Sequence, residues 1–474
     1  MVFSSFAFLC FFLPVVLLLH TVLPGVRAKN VLLIAASLVF YAYGEIVYIL
    51  LLLVSVTANY FFGRMLGKNR RRAVVAAAVI VNLAMLVVFK YAGFFTEAVN
   101  LCLPQAVRLP VPEIRLPIGI SFYTFQALSY VIDVYRGEAE AQKKFSHLLL
   151  YISFFPQLIA GPIIRYHDIE AQIMNRTATA DGIKRGSFRF VCGLGKKILI
   201  SNTMAYAADT IFALGNDQIG LLASWVGAIS YLLQIYFDFS GYSDMAIGLG
   251  RMFGFTFEEN FNYPYTAVSV QDFWRRWHIS LSTWFREYLY IPLGGNRKGK
   301  AKTLRNRYIV FLATGLWHGA NWTFLLWGLY HGTLLVAESL RVIPVYREKD
   351  EHGRAGRLHR TVSRVYTILA VLLGFVLFRA DTLGQAGAFF AAMFGFGASG
   401  GVGYVTAVTM LSPYYLFIFA LAVIGSTQYP KKLMSRIQDG PREVVAMAAS
   451  LGVLALCFLS LASASYNPFI YFRF

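Results

Sequence analysis

Long apolar segments alternate with short polar ones along the whole chain, and this alternation predicts a helical protein that crosses a membrane several times. A membrane-spanning helix needs about 20 apolar residues. The first run has no basic segment before it and no small-residue cleavage site, so we expect a retained helix rather than a signal peptide. The apolar runs that predict single spans cover residues 4–23, 73–95, 366–395, 405–427 and 443–465, and a longer apolar run covers residues 31–63.

The run over residues 31–63 is too long for one ordinary span. Basic residues flank it on both sides, with Arg27 and Lys29 before it and a cluster over residues 64–72 after it. Basic loops favour the cytoplasmic side of a membrane, and a single span would place these two clusters on opposite sides. The pattern therefore predicts a helical hairpin that turns at Tyr43-Gly44-Glu45.

Polar residues mark the segments that should face an interior rather than lipid. The helix LPIGISFYTFQALSYVIDVYRG carries Tyr123 and Gln126, and the segment SFFPQLIAGPIIRY places Gln157 beside helix-breaking prolines and a glycine. Irregular backbone at membrane depth is tolerated only where protein or a water-filled cavity satisfies it. A later helix holds two carboxylates, Asp238 and Asp244, with a break or kink expected near Gly241. The carboxylates fit direct chemistry and helix-to-helix hydrogen bonding equally well.

Composition and charge agree with a membrane protein and exclude several other classes. The 474 residues are 57% hydrophobic and 16% aromatic, and the net charge of +19 sits in short basic loops between apolar runs. Such loops are typical of anchoring to anionic lipid, and nothing in their pattern indicates nucleic-acid binding. The four cysteines are scattered, so they predict no disulfide framework. The sequence has no HExxH or P-loop motif, and we expect no bound metal.

His318 is the most informative single residue, because the sequence places it inside the apolar run of residues 311–332. An imidazole there is costly unless it is used, and a neutral one can act as a general base. Packing by hydrogen bonding explains it equally well from residue type alone. His318 follows Arg307 by eleven residues, or roughly 16 Å of helix, which predicts a position near the membrane midplane. His331, in the same run, is better explained as a packing residue.

An amphipathic helix is expected just before this run, over residues 272–290, where aromatic residues and leucines recur at helical spacing between charges. Such a helix suits the cytoplasmic interface. It carries Arg275, Arg276 and His278, and the basic loop of residues 297–307 follows it. A polar loop is expected over residues 341–364.

Four segments together resemble the membrane-bound O-acyltransferase (MBOAT) family. The opening MVFSSFAFL and the ending NPFIYFRF are similar to its bacterial branch of alginate O-acetylation proteins, and the resemblance covers essentially the whole chain. The segments are LPIGISFYTFQALSYVIDVYRG, SFFPQLIAGPIIR, QDFWRRWHISLSTWFREYLYIPLGGNRKG and LWHGANWTFLLWGLYHG.

The resemblance implies an all-α polytopic membrane protein with a ring of roughly 11 transmembrane or re-entrant helices around a central funnel. The whole chain, residues 1–474, would be one domain with its catalytic core at 116–340, in a bacterial inner membrane. The histidine of the WHG motif, His318, would be catalytic. His278, in the WRRWHIS segment, would be a second catalytic residue.

The expected acyl donor is cytoplasmic acetyl-CoA, with no permanently bound cofactor. We expect its phosphates near Arg275, Arg276, Arg297 and Lys298. An extracytoplasmic partner of the SGNH-hydrolase type would pass the acetyl group to an exported polysaccharide. The residues expected to line the substrate tunnel are Trp317, Asn321, Trp322, Gln157, Tyr123 and Gln126.

Three other functions fit parts of the same pattern. A transporter or channel would also use polar interior helices. A scaffold would only recruit a secreted acetyltransferase. Within the family, D-alanyl transfer to teichoic acid is the alternative reaction.

Overall fold

The computed structural model describes residues 1–346, 353–398, 401–437, 439–463 and 466–468, and the regular structure in these ranges is helical. Four short π-helical segments interrupt or extend the α-helices, at Ala7–Phe12, Val87–Tyr91, Lys196–Ser201 and Arg286–Tyr290. The α-helices are α1 (Leu13–Val22), α2 (Gly25–Ala42), α3 (Tyr48–Lys68), α4 (Arg72–Leu86), α5 (Ala92–Asn100), α6 (Ile120–Arg136), α7 (Phe145–Ser153), α8 (Phe155–Leu158), α9 (Tyr166–Met174), α10 (Ala180–Gly195), α11 (Asn202–Phe212), α12 (Leu221–Met252), α13 (Val270–Arg276), α14 (Ile279–Phe285), α15 (Lys300–His318), α16 (Trp322–Ser339), α17 (Gly353–Arg379), α18 (Leu383–Met393), α19 (Val402–Met410), α20 (Pro413–Gly425), α21 (Tyr429–Met434) and α22 (Asp439–Ser463).

Six helices of the described part are long and apolar enough to cross a membrane, or seven if the bent pair α19 and α20 forms one span. The two helices of that pair meet at 68°. This confirms a multi-pass helical protein, whereas the predicted count of roughly eleven, which included re-entrant helices, is not confirmed.

The hairpin predicted over residues 31–63 is confirmed. Helix α2 ends at Ala42 and α3 begins at Tyr48, so the chain turns around Gly44 and Glu45. The first arm is longer than its apolar residues indicate. It begins at Gly25 and has 18 residues, because Arg27 and Lys29 continue the helix instead of ending it.

The chain divides into two compact units. The first unit holds residues 1–190 and 243–258, and the second holds 191–242 and 259–474. Two helices, α10 and α12, each continue from one unit into the other. The expectation of one domain over the whole chain stays a prediction.

In the first unit, α6 is buried on nearly every side, as its polar composition predicted. The segment after it is irregular, as expected: α7 ends at Ser153, α8 has four residues, and residues 159–165 are not helical. The α6 helix starts from Gly119, whose φ is 79°. A Cβ at this glycine would lie 2.7 Å from the carbonyl oxygen of Leu158, so only glycine fits this close approach.

A break near Gly241 is absent, because α12 is a continuous helix of 32 residues, and the alternative of a kink there stays a prediction. The glycine serves close packing instead. A Cβ at Gly241 would lie 2.8 Å from the carbonyl oxygen of Gly193 in the second unit. Small residues allow such close backbone approach between apolar helices.

The two carboxylates of α12 form ion pairs with one cation of α10 and one cation of the π-helical segment Lys196–Ser201. In the first unit, Asp244 Oδ1 lies 2.7 Å from an Arg189 guanidinium nitrogen. In the second unit, Asp238 Oδ1 lies 2.7 Å from Lys197 Nζ, with side chains 1% and 3% exposed. Lys197 Nζ also donates to the carbonyl oxygen of Pro468. This geometry favours the structural role for both carboxylates.

Two further expectations for the second unit need correction. The amphipathic helix expected over residues 272–290 is broken into α13, α14 and a π-helical turn. The loop expected over residues 341–364 is helical from Gly353 onward, where α17 begins. Residues 347–352 of that loop lie outside the described ranges.

We predict that Lys197→Met costs about 3–5 kcal/mol of unfolding free energy, because it leaves the Asp238 carboxylate buried without its cation. The double variant Lys197→Met/Asp238→Leu should recover part of this loss, since no buried charge remains. Unfolding in one detergent system measures both effects. The control is Arg185→Gln, which removes the exposed ion pair with Asp181 and should change little. A single variant as stable as the control would contradict the prediction.

Candidate functional site

His318 lies at the tip of a helical hairpin in the second unit. The apolar run that the sequence predicted as one helix is two helices, because α15 ends at His318 and α16 begins at Trp322. Gly319 continues the chain in an extended conformation, with φ −173° and ψ 158°. The histidine is therefore at a helix end, and its backbone is not inside a continuous helix. Its predicted depth near the midplane stays a prediction.

Glycines let the two arms of this hairpin touch. A Cβ at Gly315 would collide with the carbonyl oxygen of Phe324, and one at Gly328 would collide with that of Phe311. These pairings run in opposite directions along the two helices, so α15 and α16 are antiparallel. The contacts hold the tip, and His318 with it, at a fixed position relative to α16.

Aromatic rings enclose the His318 imidazole, which is 8% exposed. The ring centroids of Trp317, Trp327 and Phe378 lie 4.9, 5.3 and 4.9 Å from that of His318. Trp327 comes from α16 and Phe378 from α17, so three helices build the enclosure. This enclosure shields the His318 imidazole from solvent.

His278 lies at the break between α13 and α14. Its backbone has φ 43° and ψ 56°, in the left-handed region that non-glycine residues rarely adopt. Strained backbone of this kind persists only where the surroundings fix it, and it is concentrated at functional sites. The break turns the His278 side chain inward, and the residue is 1% exposed.

Asn260 fixes the orientation and tautomer of the His278 ring. Its Oδ1 accepts from the backbone N–H and the hydroxyl of Ser280, at 3.2 and 2.9 Å. Because a backbone N–H can only donate, this atom is the amide oxygen. His278 Nδ1 lies 3.1 Å from the same oxygen, so Nδ1 must carry the proton.

The other ring nitrogen, Nε2, then has a free electron pair. It is buried and has no hydrogen-bond partner among the described residues. His278 lies between two seven-residue helices, outside the candidate spans, and burial lowers its pKa to about 3. The ring is therefore neutral at physiological pH, and Nε2 can accept a proton or a hydrogen bond.

Trp317 connects the two histidines. Its indole centroid lies 6.0 Å from the His278 ring and 4.9 Å from the His318 ring. The structure thus brings together three predicted site residues from two separate motifs. The residues that complete this cluster are Asn260, Trp327 and Phe378, and none of them was predicted from the sequence.

Asn321 and Trp322 lie at the same hairpin tip. Asn321 Oδ1 caps α16 by accepting from the Thr323 N–H, and its Nδ2 donates to the Asp381 carbonyl at 2.9 Å. Asn321 thereby ties the tip to the segment after α17. Trp322 is 49% exposed, so its ring is not part of the aromatic enclosure around His318.

The other predicted tunnel residues, Tyr123, Gln126 and Gln157, belong to the first unit. All three are fully buried. Each has at least one polar atom without a hydrogen-bond partner among the described residues: Tyr123 Oη, both side-chain polar atoms of Gln126, and Gln157 Oε1. Buried polar atoms in this number are typical of hydrated or ligand-binding interiors. This agrees with the polar interior expected for α6.

The four predicted donor-binding residues fall on two different elements. Arg275 and Arg276 are on α13, two to three residues before His278. Arg276 forms an ion pair with Asp272, with Nε 2.9 Å from Oδ1. Arg297 and Lys298 are exposed on the turn that precedes α15.

One group in the described residues has the residue types of a metal site, which the sequence did not indicate. Asp133, Glu138 and His167 of the first unit place one potential ligand atom each within 4.8 Å of one another. The imidazole is already engaged, because Nδ1 lies 2.9 Å from Asp133 and Nε2 lies 3.3 Å from Asp168. An imidazolium between two carboxylates explains this arrangement without a metal. The hydrogen bonds to Asp133 and then Asp168 raise the pKa of His167 to about 10.

Comparisons with known proteins identify the family to which the chain is similar. A model of the MBOAT, membrane-bound O-acyltransferase family matches residues 33–343, which include both histidines. The chain is 40% identical to the probable alginate O-acetylase AlgI of Azotobacter vinelandii over all of both chains. It is 37% identical to the peptidoglycan O-acetyltransferase of Helicobacter pylori, over 81% of this chain and 78% of the relative. The teichoic acid D-alanyltransferase of Bacillus subtilis is 28% identical, over 79% and 97%.

The raised pKa of His167 predicts a pH-dependent contribution to stability. The folded value of about 10 exceeds the ordinary value of 6.5, so the contribution is complete below pH 6.5 and is lost as the pH rises toward 10. His167→Gln should therefore lower the melting temperature most at pH 6 and progressively less toward pH 10. His147→Gln serves as the control, since His147 Nδ1 has no hydrogen-bond partner in the described part. A melting difference for His167→Gln that is constant from pH 6 to 10 would contradict the prediction.

Proposed function

Because the chain belongs to the membrane-bound O-acyltransferase family, we propose that this O-acyltransferase moves an acetyl group from cytoplasmic acetyl-CoA toward an exported polysaccharide. The single observation that carries the proposal is the enclosed pair of histidines joined by Trp317, with His318 at the hairpin tip. The names of the relatives favour acetyl as the group transferred. The identity is 40% and 37% to proteins named for O-acetylation and 28% to one named for D-alanyl transfer.

In the proposed reaction, His318 accepts the proton of an acceptor hydroxyl. The oxygen then attacks the thioester carbonyl carbon, and a tetrahedral intermediate forms. The carbon–sulfur bond breaks, the acetyl group stays on the acceptor oxygen, and the sulfur leaves as the thiolate of CoA, which takes up a proton. General base catalysis of this kind contributes about 10²–10⁴-fold to a rate.

His278 has a narrower role in this mechanism, set by its tautomer. Since Nδ1–H is committed to Asn260, only Nε2 faces the reaction, and a neutral Nε2 accepts rather than donates. It therefore cannot stabilise an oxyanion while it is neutral. We assign it the task of accepting a hydrogen bond from the acceptor, or from the CoA thiol once the sulfur has been protonated.

The proposal also includes the membrane in which the enzyme lies and the partner protein that takes the acetyl group. A ring of helices around a funnel in a bacterial inner membrane would let a cytoplasmic donor meet an extracytoplasmic acceptor. The acetyl group would pass to a partner of the SGNH-hydrolase type, which modifies an alginate-like polymer. Labelled acetyl groups appearing on the exported polymer in cells that lack this chain would contradict this route.

We predict that His318→Gln lowers acetyl transfer at least about 100-fold, because the base that accepts the hydroxyl proton is lost. Membranes that contain the protein are given labelled acetyl-CoA, and label transfer is measured. The control is His331→Gln, which changes the other histidine of the hairpin and should retain transfer within about threefold. A transporter would keep its activity in both variants. Transfer from a D-alanyl carrier protein but not from acetyl-CoA would favour the D-alanyl alternative.

We predict that Asn260 acts by positioning His278. Asn260→Leu should lower kcat about tenfold or more and leave KM for acetyl-CoA within about twofold, because the ring loses its fixed tautomer. Asn260→Asp places a carboxylate beside Nδ1 and raises the pKa of His278. The imidazolium then persists to higher pH, so the acid limb of the kcat profile should move upward in pH.

The matched control for this series is Asn262→Asp, which adds the same charge at an exposed position two residues away. Its pH profile should follow that of the unmodified protein. If Asn260→Asp lowers activity equally at every pH, Asn260 supports the fold only and the positioning role is wrong.

A further inference from the structure

A polar pocket of about 700 Å³ in the second unit lies beside the outward face of α13. The inward face of this helix carries Phe273 and Trp274, which are buried in the core of the unit. The outward face contributes Arg275 and Arg276 to the pocket lining. His278 follows Arg276 by two residues, so their Cα atoms are at most about 7 Å apart. One short helix therefore connects this pocket to the catalytic cluster.

Three cations from distant parts of the sequence converge on the same pocket. Arg360 and Arg364 lie one turn apart on α17, and Lys432 comes from α21. These three make no ion pair with a described carboxylate, and the Nε of Arg364 is buried without a hydrogen-bond partner in the described ranges. Bringing like charges together costs free energy unless an anion neutralises them.

The balance of charge in the pocket points to an anionic ligand. Five cationic side chains and one carboxylate, Asp272, are among its lining residues. Asp272 is already paired with Arg276. Guanidinium groups match phosphate oxygens in two-point geometry, which makes arginine the usual residue for phosphate esters. Tyr429, 65% exposed at the lining, offers an aromatic face on which a base could stack.

We propose that this pocket binds the phosphate groups of the acyl donor, with Arg360, Arg364 and Lys432 acting beside Arg275 and Arg276. The inference rests on the proposed function, since it requires a coenzyme A thioester as donor. Arg297 and Lys298 do not line the pocket. The site therefore draws on α17 and α21. The sequence predicted only a polar loop at Arg360 and Arg364 and a basic loop at Lys432.

The experiment compares two acetyl donors, acetyl-CoA and S-acetylpantetheine, which lacks all phosphates. Arg360→Gln and Arg364→Gln should each raise KM for acetyl-CoA about tenfold, the usual effect of losing one charge-assisted hydrogen bond. Neither variant should change the kcat/KM for S-acetylpantetheine more than about twofold. The controls are Arg357→Gln on α17 and Lys431→Gln on α21, which remove exposed charges from the same helices outside the pocket.

Equal losses with both donors, or no loss with acetyl-CoA, would overturn the proposal. The headgroup of an anionic phospholipid is the other source of a phosphate ester. The assay is therefore repeated in nanodiscs of phosphatidylcholine alone and of phosphatidylcholine with phosphatidylglycerol. A KM effect of Arg360→Gln that occurs only with phosphatidylglycerol assigns the pocket to lipid and overturns the proposal.

A binding measurement separates this inference from the proposed function. Dephosphorylated CoA and intact CoA are titrated into the His318→Gln protein. This binding measurement requires no acetyl transfer. Weaker binding of intact CoA by the Arg364→Gln form of that protein supports the pocket even if acetyl transfer is never observed. Unchanged binding refutes the pocket, and the proposed transfer can still stand on the activity assays.

Discussion

The close contact between α15 and α16 is the constraint on which the cluster of His318, Trp317 and His278 depends. Gly315 and Gly328 allow the backbone of each helix to touch the other, which only glycine permits at this separation. The hairpin therefore ends in a tight, fixed tip, and His318 is held there against Trp327 and Phe378. A larger residue at either glycine would push the arms apart and displace the imidazole from its aromatic enclosure.

The buried polar groups near this tip form hydrogen bonds that leave His278 Nε2 available as an acceptor. Asn260 uses one amide oxygen to hold His278 and Ser280, which commits Nδ1 of the histidine and leaves Nε2 as an acceptor. Elsewhere, Lys197 and Asp238 neutralise each other inside the fold. Lys197 and Asp238 are thus paired, whereas His278 keeps a neutral imidazole with Nε2 as an acceptor.

The sequence predicted the class of fold, the α2–α3 hairpin and the irregular segment after α7, because run length and prolines determine these locally. It also predicted His318 and His278 as site residues. It missed the break at His278 and the helix end at His318, since the apolar pattern continues across both positions. Asn260, Arg360 and Arg364 were missed because only tertiary packing brings them beside the residues they serve.

We propose that the acetyl group of a thioester donor binds beside the enclosed histidine pair, where His318 accepts the proton of the attacking hydroxyl. The most direct measurement is an experimental structure with a non-hydrolysable acetyl-CoA analogue in which the sulfur is replaced by a methylene group. We expect the acetyl carbonyl beside the His318 ring, with room for an acceptor oxygen about 3–3.5 Å from the carbonyl carbon. An acetyl group bound outside the enclosure formed by Trp317, Trp327 and Phe378 would contradict it.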